Sequence, residues 1–219
     1  MNTVSEPLER PAATVRVVAG DSELLKSTSD FSSVDRLVGE MSDEHESSMG
    51  ELVRYFEHHT EGEAEMTRAV FLWVARNIEY DGRAYSLDEI PRMDAEEVFF
   101  ERKGVCFHYS ILFEELATMA GLRAKTLLGH ATGYPSSILL GDTGHAWNAV
   151  RIEGEWYLLD VTWSSGYLDE EFEFHPYEEN DAYFLIDPEV FVDTHLPEEA
   201  FWQLLPNPVS ESEFLRRAS

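Results

Sequence analysis

The stretch KGVCFHYSILFEELATMAGL (residues 103–122) decides the fold. Its apolar residues Tyr109, Leu112, Phe113, Leu116 and Ala120 recur at helical spacing, and Gly121 offers a left-handed cap, so a helix runs over about residues 105–120. Cys106 shares that stripe, three residues before Tyr109 and seven before Phe113. It therefore sits in the first turn and faces inward. Gly104 permits a sharp turn just ahead of it. His108 lies about 200° around the helix from Cys106 and reads as a surface or edge histidine.

Upstream of this helix the pattern stays helical. Leu37, Val38 and Met41 are helically spaced, and residues 48–57 place Leu52, Val53 and Phe56 on one face. Residues 64–77 carry Met66, Ala69, Val70, Trp73 and Val74 on a buried stripe that ends near Tyr80-Asp81-Gly82. Asp94 can cap a short helix, AEEVFFER. Residues 1–32 lack a sustained period and read as a poorly ordered leader with a short strand at 14–18, so 33–219 form the one domain.

Downstream of Gly121 the period changes. Residues 122–128 read as a strand and 129–141 as a loop. HAWNAVRI (145–152) and EWYLLDVTW (155–163) form a hairpin around Glu153-Gly154. Helices first and antiparallel strands second make an α+β domain in which the Cys106 helix packs on the sheet.

Charge excludes some functions. Of 219 residues, 43 are acidic and 16 basic, a net charge of −27, and the only lysines are Lys26, Lys103 and Lys125. A polyanion or an anionic membrane would be repelled, so no nucleic-acid or membrane partner is expected. The excess reads as a solvated, self-repelling surface. The chain shows neither 18 consecutive apolar residues nor a signal peptide, and a cytoplasmic location is expected. A single cysteine forbids an intrachain disulfide and any zinc site built on several cysteines. His58-His59 lack further ligands at metal spacing. The acidic run 169–181 lacks a calcium-loop pattern and reads as a solvated loop, so neither metal nor cofactor is expected.

The chemistry gathers around Cys106. A thiol needs help to ionise, and a helix N-terminus and a neighbouring imidazole both supply it. A turn centred between Glu153 and Gly154 pairs residues whose numbers sum to 307, so Trp147 faces Asp160 and His145 faces Thr162. His145 and Asp160 are then diagonal neighbours on one face. The start of the Cys106 helix against that face would complete a Cys-His-Asp set of nucleophile, base and orienting carboxylate. Trp147, on the same face as His145, would wall the cleft.

These segments resemble the transglutaminase-like superfamily, whose papain-like core carries Cys on a helix and His and Asp on adjacent strands. KGVCFHYSILFEELATMAGL, GHAWNAV and EWYLLDVTW look like its signature segments, and AVFLWVARNIEYDGRAY is similar to the segment before the nucleophile. DAYFLIDPEVFVDTHLPEEAFWQLL resembles the tail of the kyphoscoliosis peptidase and cytokinesis-protein branch, so the likeness spans roughly residues 33–215. It implies Cys106 as nucleophile, His145 as base, Asp160 as orienter and acyl transfer at an amide of a protein or peptide, with water or an amine as acceptor. Relatives that have lost triad members serve as interaction modules, which is the alternative reading. The oxyanion would take the Cys106 N–H and a second donor from among Asn77, Tyr80 and Trp73. His195, in the family tail, reads as structural.

Overall fold

The computed structural model describes residues 18–132, 144–178 and 181–217. The early helices are α1 (Ser22–Thr28), α2 (Ser32–Gly39), α3 (Met49–His59) and α4 (Gly62–Asn77). The starts of α1 and α3 follow local chemistry. Asp21 accepts the N–H of Leu24 and Ser48 accepts that of Glu51. Helix α4 is the central beam, with Ala69, Val70, Phe71, Trp73 and Val74 fully buried. Arg68, buried on α4, ties down both α2 through Asp35 (2.8 and 2.9 Å) and the start of the C-terminal segment through Asp181 (2.6 Å).

Strand β1 (Glu79–Tyr80), α5 (Gly82–Leu87), α6 (Ala95–Glu101) and β2 (Lys103–Gly104) lead to α7 (Cys106–Met119). Asp94 caps α6 in a full capping box with Glu97. Gly121, at φ 81°, ends α7 in the left-handed region as expected. Strands β1 and β2 run parallel and bring Tyr80 opposite Gly104, two residues before Cys106.

The second half supplies β3 (Arg123–Ala131), β4 (Gly144–Ile152), β5 (Glu155–Leu159), α8 (Val161–Ser165), β6 (Gly166–Leu168), β7 (Phe174–Pro176), α9 (Pro188–Phe191), β8 (His195–Pro197) and α10 (Glu211–Arg217). The main sheet is antiparallel in the order β5-β4-β3-β8. Even-numbered residues of β4 face α7: Asn148 Nδ2 donates to Ser110 O at 3.0 Å, and Val150 and Ile152 join the helical core. Trp147 and Ala149 point to the other face, where Ile186, Phe191 and Leu204 cover them. The α+β architecture expected from sequence, with the Cys106 helix packed on an antiparallel sheet, is the one observed, with one addition. The sheet is covered on both faces, and its second cover is the C-terminal segment.

The strand expected at 122–128 extends to Ala131, so 129–131 belong to it and not to a loop; residues 133–141 of that loop lie outside the described residues. Gly129 is glycine for contact reasons. A Cβ there would stand 2.1 Å from Leu196 O and 2.6 Å from the Trp147 ring, so only glycine lets β8 close against β3 over that ring. Of the stretch read as leader, residues 1–17 lie outside the described residues, including most of the strand read at 14–18. Residues 18–32 hold α1, and Val18 O and Gly20 N–H bond the backbone of Trp156 on the edge of β5 (2.8 Å each). The acidic run 169–181 contains β7, which pairs with β6.

Candidate active site

Cys106 is the first residue of α7 and is only partly buried. The helix start is held by His108, which is buried rather than on the surface. Its Nδ1 accepts the Val105 N–H at 3.0 Å and its Nε2 lies 3.2 Å from Pro91 O. The ring occupies the third helical position, where a side chain can fold back over the preceding backbone N–H. That contact also explains Gly104. A Cβ there would meet His108 Cβ at 2.5 Å, so glycine makes room for the capping ring, and no turn with positive φ is involved.

His145 enters from β4. The β4–β5 register sums to 307 as expected, with Asn148 opposite Leu159 and Ala149 opposite Leu158. Glu153 (φ 51°) and Gly154 (φ 98°) make the two-residue turn that fixes this parity. The sequence reading carries the second strand to Trp163, but β5 ends at Leu159. Asp160 instead caps α8, its Oδ1 accepting the Trp163 N–H at 3.0 Å. Thr162 is therefore in a helix and does not pair with His145. The cap turns the Asp160 carboxylate toward β4, where Oδ2 lies 2.7 Å from His145 Nε2.

The Cys106 thiol also acts on the His145 ring and favours its charged form. Burial alone would make its imidazolium a stronger acid, but the Asp160 charge, its hydrogen bond and the Cys106 thiol outweigh burial and push it up to about 10. For Asp160, burial alone would raise the carboxyl. The charge and bond from His145, followed by those from His195, hold it well below the usual carboxylate range. Trp163 stacks on the His145 ring at 5.2 Å and Trp147 at 5.9 Å. Trp147 is buried in the C-terminal cluster, behind His145 rather than lining an open cleft.

The three candidates for a second oxyanion donor separate. Trp73 Nε1 donates to Glu46 Oε1 at 2.9 Å, and Asn77 Nδ2 donates to Trp73 O at 2.9 Å within its own helix. Both donors are engaged away from Cys106. Tyr80 is the candidate beside it: burial raises its phenol well above the ordinary value and Cys106 adds to that by its charge, while the Cys106 backbone works the other way. Tyr80 therefore keeps its proton at neutral pH.

His195, read from sequence as structural, also reaches this centre. It is 1% exposed on β8, and its Nε2 lies 3.1 Å from the same Asp160 Oδ2. One ligand-type atom each from His145, Asp160 and His195 lies within 4.8 Å of the other two, a set that could hold a metal ion by spacing. Both imidazole contacts to Oδ2 are ordinary hydrogen-bond distances. Among the described residues no helix is long and apolar enough to cross a membrane.

The sequence model of the transglutaminase-like superfamily matches residues 51–161. Kyphoscoliosis peptidase of Mus musculus is 33% identical over 171 residues, 77% of this chain and 26% of that protein. Hillarin of Drosophila melanogaster is 27% identical over 203 residues, covering 84% of this chain and 24% of that protein. Cytokinesis protein 3 of Schizosaccharomyces pombe is 26% identical over 146 residues, covering 63% and 16%. The chain thus spans about a quarter or less of the length of these relatives, and they include both names of the branch that the sequence motifs resemble.

Proposed function

The chain belongs to the transglutaminase-like superfamily, and on that premise we propose that it is a cysteine-dependent acyl-transfer enzyme acting on protein or peptide amides. Cys106 is the nucleophile, His145 the acid–base partner and Asp160 the orienting carboxylate. The observation that carries this reading is the His145 ring held through Nε2 to buried Asp160 at 2.7 Å, with Cys106 at the start of α7 among the groups that act on that ring.

The chemistry follows from those contacts. His145, its imidazolium favoured by Asp160, is the group placed to take the thiol proton as Cys106 becomes the nucleophile at a helix N-terminus. The thiolate attacks the amide carbonyl carbon, a C–S bond forms, and the carbonyl electron pair moves to oxygen. The Cys106 N–H and the Tyr80 hydroxyl are the donors offered to that oxyanion. His145 gives its proton to the leaving amine as the C–N bond breaks, producing a thioester. Water or an acceptor amine then attacks the thioester while His145 takes back a proton, and the thiol is released. Water makes the enzyme a peptidase or deamidase, and an amine makes it a transglutaminase. A cytoplasmic location and a protein substrate belong to the same proposal.

The test is intact-mass labelling of the full chain with iodoacetamide from pH 5 to 9, beside His145→Ala. Wild type is expected to label fast already at pH 6, and His145→Ala at least about tenfold more slowly at that pH. Equal rates in the two proteins would overturn the activated nucleophile and leave the interaction-module reading.

A further inference from the structure

His195 is a buried titratable group that the reaction sequence above does not use. Its Nε2 lies 3.1 Å from Asp160 Oδ2 and its Nδ1 lies 2.8 Å from Thr194 Oγ1. An ionised carboxylate can only accept, so Nε2 carries the ring hydrogen. Nδ1 of the neutral ring then accepts from the Thr194 hydroxyl. Burial pushes the imidazole down to about 4 against the pull of Asp160, so it is neutral at the pH where His145 is charged. A second imidazolium would compete with His145 for the Asp160 charge. A neutral ring donates one hydrogen bond and leaves the charge to His145.

The His195 ring cannot readily turn. It stacks on Phe191 at 3.9 Å and 9°, and Trp163 lies against it at 4.4 Å. Gly129 permits this approach by letting β8 close on β3. Asp160 Oδ2 consequently takes two N–H donors, His145 at 2.7 Å and His195 at 3.1 Å, while Oδ1 takes the Trp163 N–H at 3.0 Å. The carboxylate is fixed at both oxygens.

We propose that His195 is a positioning residue of the active site, holding Asp160 Oδ2 on the axis of the His145 Nε2–H bond through the catalytic cycle. This assignment rests on the Cys-His-Asp reading above. It makes the C-terminal segment, beyond the residues 51–161 that the family model matches, a working part of the site. The titratable groups facing this centre are His145 from β4, His195 from β8 and Tyr183 from the segment before α9, with Cys106 of α7 beyond His145.

The test compares wild type, His195→Phe and His195→Gln by iodoacetamide labelling across pH 5 to 9, with thermal melts as a folding control. Phenylalanine keeps the stack on Phe191 and removes the donor. Glutamine returns an N–H close to the position of Nε2. His195→Phe is expected to label at least about tenfold more slowly at pH 6, its acid limb moved about one pH unit upward, and His195→Gln to lie within about threefold of wild type. A folded His195→Phe with the wild-type profile overturns the proposal, and so does His195→Gln as slow as His195→Phe, because the ring would then serve packing alone. If His195→Phe does not fold, 15N-histidine NMR of wild type decides. An Nε2–H tautomer at His195, with its signal identified by loss in His195→Gln, supports the assignment, and an Nδ1–H tautomer removes it. A wild type as slow as His145→Ala at pH 6 overturns the cysteine mechanism itself, a different result from a fast wild type with unaffected His195 variants.

Discussion

Among the described residues two imidazole–carboxylate pairs have the same 2.7 Å separation, and one of them sits at the proposed reactive centre. His145 and Asp160 have side chains 10% and 0% exposed, whereas His175 and Asp169, on the β6–β7 hairpin, are 45% and 28% exposed. Each carboxylate is drawn below its ordinary range by its histidine, and Asp169 is helped by the backbone N–H groups of Glu173 and Glu171. The difference lies in what water can do. Around Asp169 solvent screens the charge and competes for every donor, so the pair does little beyond fastening a turn. Around Asp160 protein groups supply the donors, and the charge acts on the two buried imidazoles that reach it with little screening. Bond length therefore does not set the proposed catalytic pair apart; the enclosure around the bond does.

The comparison can be broken most directly by neutralising each carboxylate. Asp160→Asn is expected to cost about 10³–10⁴-fold in turnover, because the imidazole loses its tautomer and its partner charge together. Asp169→Asn is expected to change Cys106 labelling by no more than about twofold. A comparable loss in both would mean that enclosure is not what matters.

A smaller effect concerns stability against pH. Asp160 is depressed, so its contribution is present above its unfolded value near 3.9 and disappears as pH falls through the folded value. His145 is raised to about 10, so its contribution is complete below about 6.5 and fades as pH rises toward 10. The melting temperature of wild type minus that of His145→Ala should therefore be greatest between about pH 4 and 6.5, at roughly ten degrees, and shrink toward pH 10. A difference that is flat across that range would contradict the buried ion pair. The smallest effect sharpens the contrast: His175→Ala should shift melting by no more than about a degree, and 1 M KCl should erase the shift.

The parts of the site that were legible in the sequence are those fixed by local periodicity. The apolar stripe of α7 put Cys106 in a first turn, and the two-residue turn at Glu153-Gly154 set the parity that brings His145 near Asp160. The end of β5 was misread because Val161, Thr162 and Trp163 all favour strands, and the Asp160 cap overrode that preference. His108 was judged by its angle from Cys106, although a side chain at the third helical position can reach back to the helix start. Trp73 and Asn77 lost their candidate role to Glu46 and to a carbonyl of their own helix, contacts that no spacing rule shows. His195 carries no local signal at all. It lies 35 residues beyond Asp160, and its place depends on β8 crossing to the far edge of the sheet.

Asp160 caps α8 with one oxygen and serves two imidazoles with the other. The residue proposed to orient the base is therefore also a fastening of the scaffold. Anyone seeking an inert version of this protein, to trap a bound partner or to separate catalysis from scaffolding in a cell, should leave Asp160 alone. Cys106→Ser changes a single atom at a partly exposed position and leaves the cap intact. A phenotype from Asp160→Asn that is absent from Cys106→Ser would report a damaged scaffold and not a missing reaction.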